Sequence, residues 1–236
     1  GVPSLLLLGA AYGIAEEGLM CKSFFDPNWM DLDLLGEYGR WLGVNWVWAV
    51  ELTIYHAVFS VVIPIILVGL LYPDRRDEAW IGRRGFVILF ALWLLNGLLI
   101  YYAISAYRPP ATHLLGGVLA AVGFVVLARY WPAQRVVRYR EKEAWRPWLL
   151  AVITFFATMA FFALVWAVPH TGVHPLIVIM LLVALTGGVL RLTRSMAARY
   201  GFSDLHRLAL VSGGPGFFIL VLAPIREWGP DQPDNP

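Results

Sequence analysis

Residues 72–85 read YPDRRDEAWIGRRG and stand between two long apolar runs, AVFSVVIPIILVGLL at 57–71 and FVILFALWLLNGLLI at 86–100. A short, base-rich connection between runs of that length is the mark of a chain that crosses a bilayer twice and leaves its arginines on one side. The pattern repeats. Segments 129–147 and 191–207 are also basic, and with 72–85 they hold 14 of the 18 Lys+Arg and six of the 16 Asp+Glu, a net charge of +8. The remainder holds four bases (Lys22, Arg40, Arg108, Arg226) and ten acids, a net charge of −6. Basic loops resist translocation, so these three are assigned to the cytoplasm.

The composition agrees. Of 236 residues, 59% are hydrophobic and only 14% charged, with a mean hydropathy of +0.67. A soluble domain of that length needs more polar surface. Seven apolar runs fit, at about 3–21, 46–71, 86–106, 113–130, 148–168, 175–193 and 208–225. The fold expected is an all-α bundle of seven transmembrane helices over 1–225, multi-pass in a plasma membrane, N-terminus in and C-terminus out. Residues 226–236, REWGPDQPDNP, read as a flexible outer tail. An apolar run starting almost at Gly1 suits a signal peptide in length, but no basic segment precedes it, and helix 1 continues through Glu16 and Glu17. Trp46, Trp48, Trp166 and Trp228 mark one interface, and Trp80, Trp131, Trp145 and Trp148 the other.

Residues 22–45 form the largest outer connection. Within 31–42, Leu34, Leu35, Tyr38, Trp41 and Leu42 recur at helical spacing, with Asp33, Glu37 and Arg40 opposite, which predicts an amphipathic interfacial helix. Small residues (Gly9 and Gly13; Gly116, Ala120 and Gly123; Gly187 and Gly188) predict close helix contacts. Gly213-Gly214-Pro215-Gly216 predicts a kink in helix 7.

Candidate chemistry gathers towards one end of the helices. Glu16 and Glu17 lie late in helix 1, Glu51 and His56 in the first half of helix 2, and His113 at the start of helix 4. An ionisable group inside a span costs roughly 2.5–3.5 kcal/mol on insertion scales, so such groups face a partner, a cavity or water. Thr53, His56, Ser60 and Pro64 share one face of helix 2, with Glu51 on another. Adjacent helical residues diverge by about 100°, so one of Glu16 and Glu17 is expected to face a given site. Imidazole beside carboxylate suits zinc: His56 and His113 are the expected metal ligands, and Glu17, Glu16 and Glu51 the expected catalytic acids or bases. His170 and His174 are spaced as HxxxH, but Pro175 disfavours a helix at His174. His206 is expected to be solvated beside a basic segment.

Two family comparisons bear on these residues. Glu16-Glu17, then His56, then His113 resembles in order the intramembrane CAAX-type proteases, whose pattern is EExxxR, FxxxH, HxxxN. Here Cys21, Leu52 and Gly117 replace the Arg, Phe and Asn. Thr53-Ile54-Tyr55-His56 resembles the SxxxH of the seven-helix ceramidase and progestin/adipoQ receptor group, with the hydroxyl displaced by one. The chain is assigned to neither.

Other classes are limited by composition. Cys21 is the sole cysteine, which removes internal disulfides and thiolate clusters. Lys22 and Lys142 both lie in loops, so no helix carries a retinal Schiff base. A diheme cytochrome needs two axial histidine pairs, and no second pair is evident beside His56 and His113. The basic segments point to anionic lipid rather than nucleic acid. The function expected is a membrane-embedded hydrolase of lipid or peptide, metal-assisted. A proton-coupled transporter using Glu51 and His56, or a non-catalytic subunit docking on membrane-protein partners, are the alternatives.

Overall fold

The computed structural model describes residues 1–30, 32–131, 145–199 and 202–228. The basic segment 129–147 and the tail 226–236 therefore fall largely outside the described residues. Seven helices are long and apolar enough to cross a membrane: α1 (Val2–Cys21), α2 (Trp46–Leu71), α3 (Arg83–Ala103), α4 (Ala111–Tyr130), α5 (Pro147–Trp166), α6 (Pro175–Ala198) and α7 (Asp204–Arg226). Each matches an apolar run read from the sequence. The boundaries move by a few residues, because helix ends are set by caps rather than by hydropathy. Asn45, for example, starts α2 by accepting the Trp48 N–H on its side chain.

The helices fall into two compact units, Gly1–Arg135 with Leu164–Thr186, and Val136–Ala163 with Gly187–Pro236. In the first unit α1 is the packing centre. A Cβ on Gly9 would sit 2.6 Å from the Ala57 Cα, and one on Gly13 would sit 2.9 Å from the His56 Cβ, so both glycines bring α1 backbone against α2. Further along α1, Met20 fills the space over Gly97 of α3, and Leu19 that over Gly117 of α4. By contrast, Gly116, Gly123, Gly187 and Gly188 have no described atom within 4 Å of an added Cβ. Only part of the small-residue pattern therefore marks contacts within the chain.

In the second unit, α7 seats Gly213 against Thr154, Ala151 and Phe155 of α5, and Phe162 stacks on Phe217 at 5.6 Å. Pro215 lies inside a continuous α-helix, and the ladder then widens into a π turn at Phe218–Leu222. The glycine run thus works as a packing seat. The irregularity the proline imposes appears as a π turn, one of the ways a helix absorbs it.

The stretch 31–42 departs from the expected interfacial helix. It forms a 3₁₀ turn at Asp33–Gly36, followed by an antiparallel hairpin, β1 (Arg40–Trp41) with β2 (Val44–Asn45). Leu42 (φ 50°) and Gly43 (φ 75°) make the two-residue turn. Gly39 (φ +81°) stops any helix before it. Leu35 is buried while Leu34 is exposed, so the stripe is split by tertiary packing. Tyr38 donates its hydroxyl to the Val173 carbonyl at 2.6 Å, and the buried Asn45 amide donates to the Leu35 carbonyl.

Candidate functional site

Two π segments of the first unit carry the candidate cluster. One is Ile14–Cys21, at the end of α1; the other is His56–Val62, inside α2. A π turn carries its bonds i→i+5 and so takes more residues per turn, which narrows the angle between neighbouring side chains. Both carboxylates of the Glu16-Glu17 pair reach one imidazole. Glu16 Oε2 lies 3.4 Å from His56 Nδ1, and Glu17 Oε1 lies 3.3 Å from His56 Nε2. Glu16 and Glu17 thus both contact His56, against the expectation that only one of them would, and they do so from a segment that is π rather than regular α-helix.

Further contacts fix this arrangement. Ser23, fully buried, donates its hydroxyl to Glu17 Oε2 at 2.6 Å. Ser60, one turn beyond His56 and exposed, places its Oγ 3.0 Å from Nδ1. The Tyr12 and Tyr55 rings meet the imidazole edge-on, at 5.6 and 5.4 Å. His56 itself is only 8% exposed; the Glu16 side chain retains 27% exposure, but its Oε2, which faces His56, is buried with no hydrogen-bond partner among the described residues.

The cations of the neighbouring loops are engaged elsewhere. Lys22 is completely buried just past α1, in a left-handed conformation (φ 67°), and donates to the carbonyls of Tyr101, Ser105 and Tyr107 at 2.5, 2.7 and 3.2 Å. These lie at and beyond the C-terminal end of α3, where carbonyls lack helical partners and a positive charge is favoured. Burial and the nearby Arg108 guanidinium push the Lys22 ammonium below its ordinary pKa. Arg40 ties the Gly36, Phe25 and Asp26 carbonyls, and Arg108 those of Ser105 and Tyr107. Among the described residues, the ion-pair partner of Glu16 and of Glu17 is His56 alone.

Among the described residues, the other expected site residues make no hydrogen bond or ion pair with this cluster. Glu51 is 2% exposed, and its Oε2 has no hydrogen-bond partner among the described residues. His113 bonds the Leu42 carbonyl through Nε2 at 2.8 Å, and a Cβ on Gly43 would sit 2.8 Å from that nitrogen. Its imidazole therefore supports the hairpin turn and, among the described residues, shares no hydrogen-bond partner with His56. No group of three His, Cys, Asp or Glu that could hold a metal ion is formed among the described residues. His170 is exposed in a 3₁₀ turn (Val168–Thr171), and His174 accepts the Leu176 N–H outside any helix, so the HxxxH pair is not helical. His206 is buried rather than solvated. It caps α7 with Ser203 and bonds the Trp145 carbonyl at 2.8 Å. The Ser203-x-x-His206 spacing carried that signal as a capping box. Ser23 was not legible beforehand, since it lies past the helix end.

A profile described as an uncharacterized membrane protein family matches residues 1–202. The chain belongs to that family. The match takes in α1 through α6, and hence every residue of the Glu16–Glu17–His56 cluster, whereas α7 lies beyond it. No curated protein and no solved structure matches this family member.

Proposed function

We propose that this protein is a membrane-embedded hydrolase of acyl bonds, carboxylic ester or amide, with His56 as general base and Glu17 as the group that orients it. The observation that carries the reading is the pair of carboxylates on the two nitrogens of one buried imidazole. Nε2–H donates to Glu17, which leaves Nδ1 as the proton acceptor. Once Nδ1 takes a proton, the Glu16 carboxylate, 3.4 Å away, offsets the charge on the ring as an ion-pair partner. A positioned base of this kind is worth about 10²–10⁴-fold in rate.

Zinc on either nitrogen of His56 would find that imidazole and the one carboxylate beside that nitrogen, fewer than the three protein ligands of a catalytic zinc site. The reading accordingly gives the base role to the side chains alone. It further places the protein in a plasma membrane with the basic segments on the cytoplasmic side, where anionic lipid meets them.

The test is hydrolysis by the full chain in proteoliposomes, with fluorogenic esters, phospholipid and a membrane-spanning peptide as separate substrates. The expected result is turnover of at least one, a loss of 100-fold or more in His56→Gln, and no loss with a chelator. Activity that falls with the chelator, together with zinc that disappears in His56→Ala, replaces this version with a zinc-assisted one. Glu51 Oε2, buried and without a hydrogen-bond partner among the described residues, favours a second reading, proton-coupled transport. No hydrolysis, with a pH-driven flux abolished by Glu51→Gln, would establish it instead.

A further inference from the structure

The general-base reading leaves open what attacks the acyl carbon. A water or a side-chain hydroxyl would serve, and a hydroxyl is already in place. Ser60 Oγ lies 3.0 Å from His56 Nδ1, a hydrogen-bonding distance. On the far side of the ring, Nε2 faces Glu17 Oε1 at 3.3 Å, and Glu17 Oε2 is held in turn by Ser23. Serine, histidine and carboxylate thus form one line, with a buried serine behind the carboxylate. The tautomer this requires is self-consistent. With the proton on Nε2 donated to Glu17, the Nδ1 lone pair is free to accept from Ser60.

We infer that Ser60 is the nucleophile, and that the reaction runs through an acyl-serine; this rests on the hydrolase reading above. Ser60 Oγ forms a bond to the acyl carbon as its proton passes to Nδ1. The bond from that carbon to the leaving oxygen or nitrogen breaks, and the leaving group takes the proton from Nδ1. Water then attacks the acyl-serine, again giving a proton to Nδ1. Serine Oγ regains a proton from the imidazole, and the acid is released. No oxidant, reductant or other co-reactant is involved. The geometry follows the general pattern of an activated nucleophile: hydroxyl, base within hydrogen-bond reach, and a third group orienting the base.

Accessibility separates Ser60 from the other hydroxyls near the cluster. Ser60 is exposed, whereas Ser23 is fully buried and engaged with Glu17. Ser60 also follows His56 by four residues, so both side chains rise from adjacent turns of the same helix face.

The experiment exposes the full chain in proteoliposomes to a fluorophosphonate bearing an alkyl tail, followed by peptide mass spectrometry, with hydrolysis measured in parallel. The expected result is an adduct on Ser60, lost in Ser60→Ala and in His56→Gln. A 100-fold or greater fall in turnover should accompany Ser60→Ala. Because Ser60 is exposed, its truncation leaves the packing in place, and an unchanged melting temperature verifies this. Ser60→Cys, made with Cys21→Ser, should regain labelling by an alkylating acyl analogue. Wild-type turnover retained in Ser60→Ala would overturn the inference and leave water as the attacking group. Absence of both turnover and labelling in the wild-type chain would overturn the hydrolase reading with it.

Discussion

At the scale of single residues, polar side chains in the first unit are assigned partners by burial. Lys22 is the clearest case. An ammonium removed from water is unfavourable unless several acceptors surround it, and three carbonyls do so. Its folded-state pKa nonetheless lies below the unfolded value, because burial and the nearby Arg108 outweigh the opposing charge of Asp26. The unfolded chain then binds more protons over the interval between the two values. Stability should therefore rise with pH through the depressed pKa, up to the ordinary lysine range. Thermal unfolding in detergent from pH 7 upwards should show that rise in the wild type and a flatter profile in Lys22→Met. Ser23 is expected to matter differently. Its hydroxyl is hydrogen-bonded to a charged group, worth about 1.5–3 kcal/mol. Ser23→Ala should lower turnover by about tenfold, and Ser23→Thr should restore most of it. Hydrolysis that ignores Ser23→Ala would show that Glu17 needs no such support.

At the scale of elements, the spans were legible and their irregularities were not. Apolar runs of about 20 residues flanked by charge dictate helices in lipid, so each of the seven found its place. The π segments at 14–21 and 56–62 had no comparable signal. Hydropathy is indifferent to whether a turn closes at i+4 or i+5. The 31–42 stripe misled for a related reason. Helical spacing of Leu34, Leu35 and Tyr38 was real, but Gly36, Gly39 and Gly43 and long-range bonds from Tyr38 and Asn45 overrode it. The α1–α2 contact is the element-scale feature most open to test. Gly13→Ala would force its Cβ against the His56 Cβ and the Leu52 carbonyl, at 2.9 and 3.3 Å. A destabilisation of about 1–3 kcal/mol is expected from that overpacking. The same change at Gly116, which has open space around it, should be close to neutral. Equal melting temperatures for the two variants would contradict the packing described.

At the scale of the whole molecule, charge asymmetry and site chemistry make separate claims. Segments 72–85 and 191–207 should share one side of the membrane, with 22–45 on the other. Single cysteines placed in each, on a Cys21→Ser background, should split accordingly when labelled by an impermeant maleimide in intact cells. The catalytic claim concerns two helices acting as one device, and it was only partly readable in advance. Depth singled out Glu16, Glu17 and His56. The hydrogen bond of His113 to the Leu42 carbonyl depended on a hairpin that the sequence pattern concealed. Groups that act as a unit give non-additive losses. A double-mutant cycle on hydrolysis, with Glu17→Gln, His56→Gln and the two combined, measures that most directly. The double variant should be no slower than His56→Gln alone; losses that multiply would mean that Glu17 and His56 work independently and that the shared site does not exist.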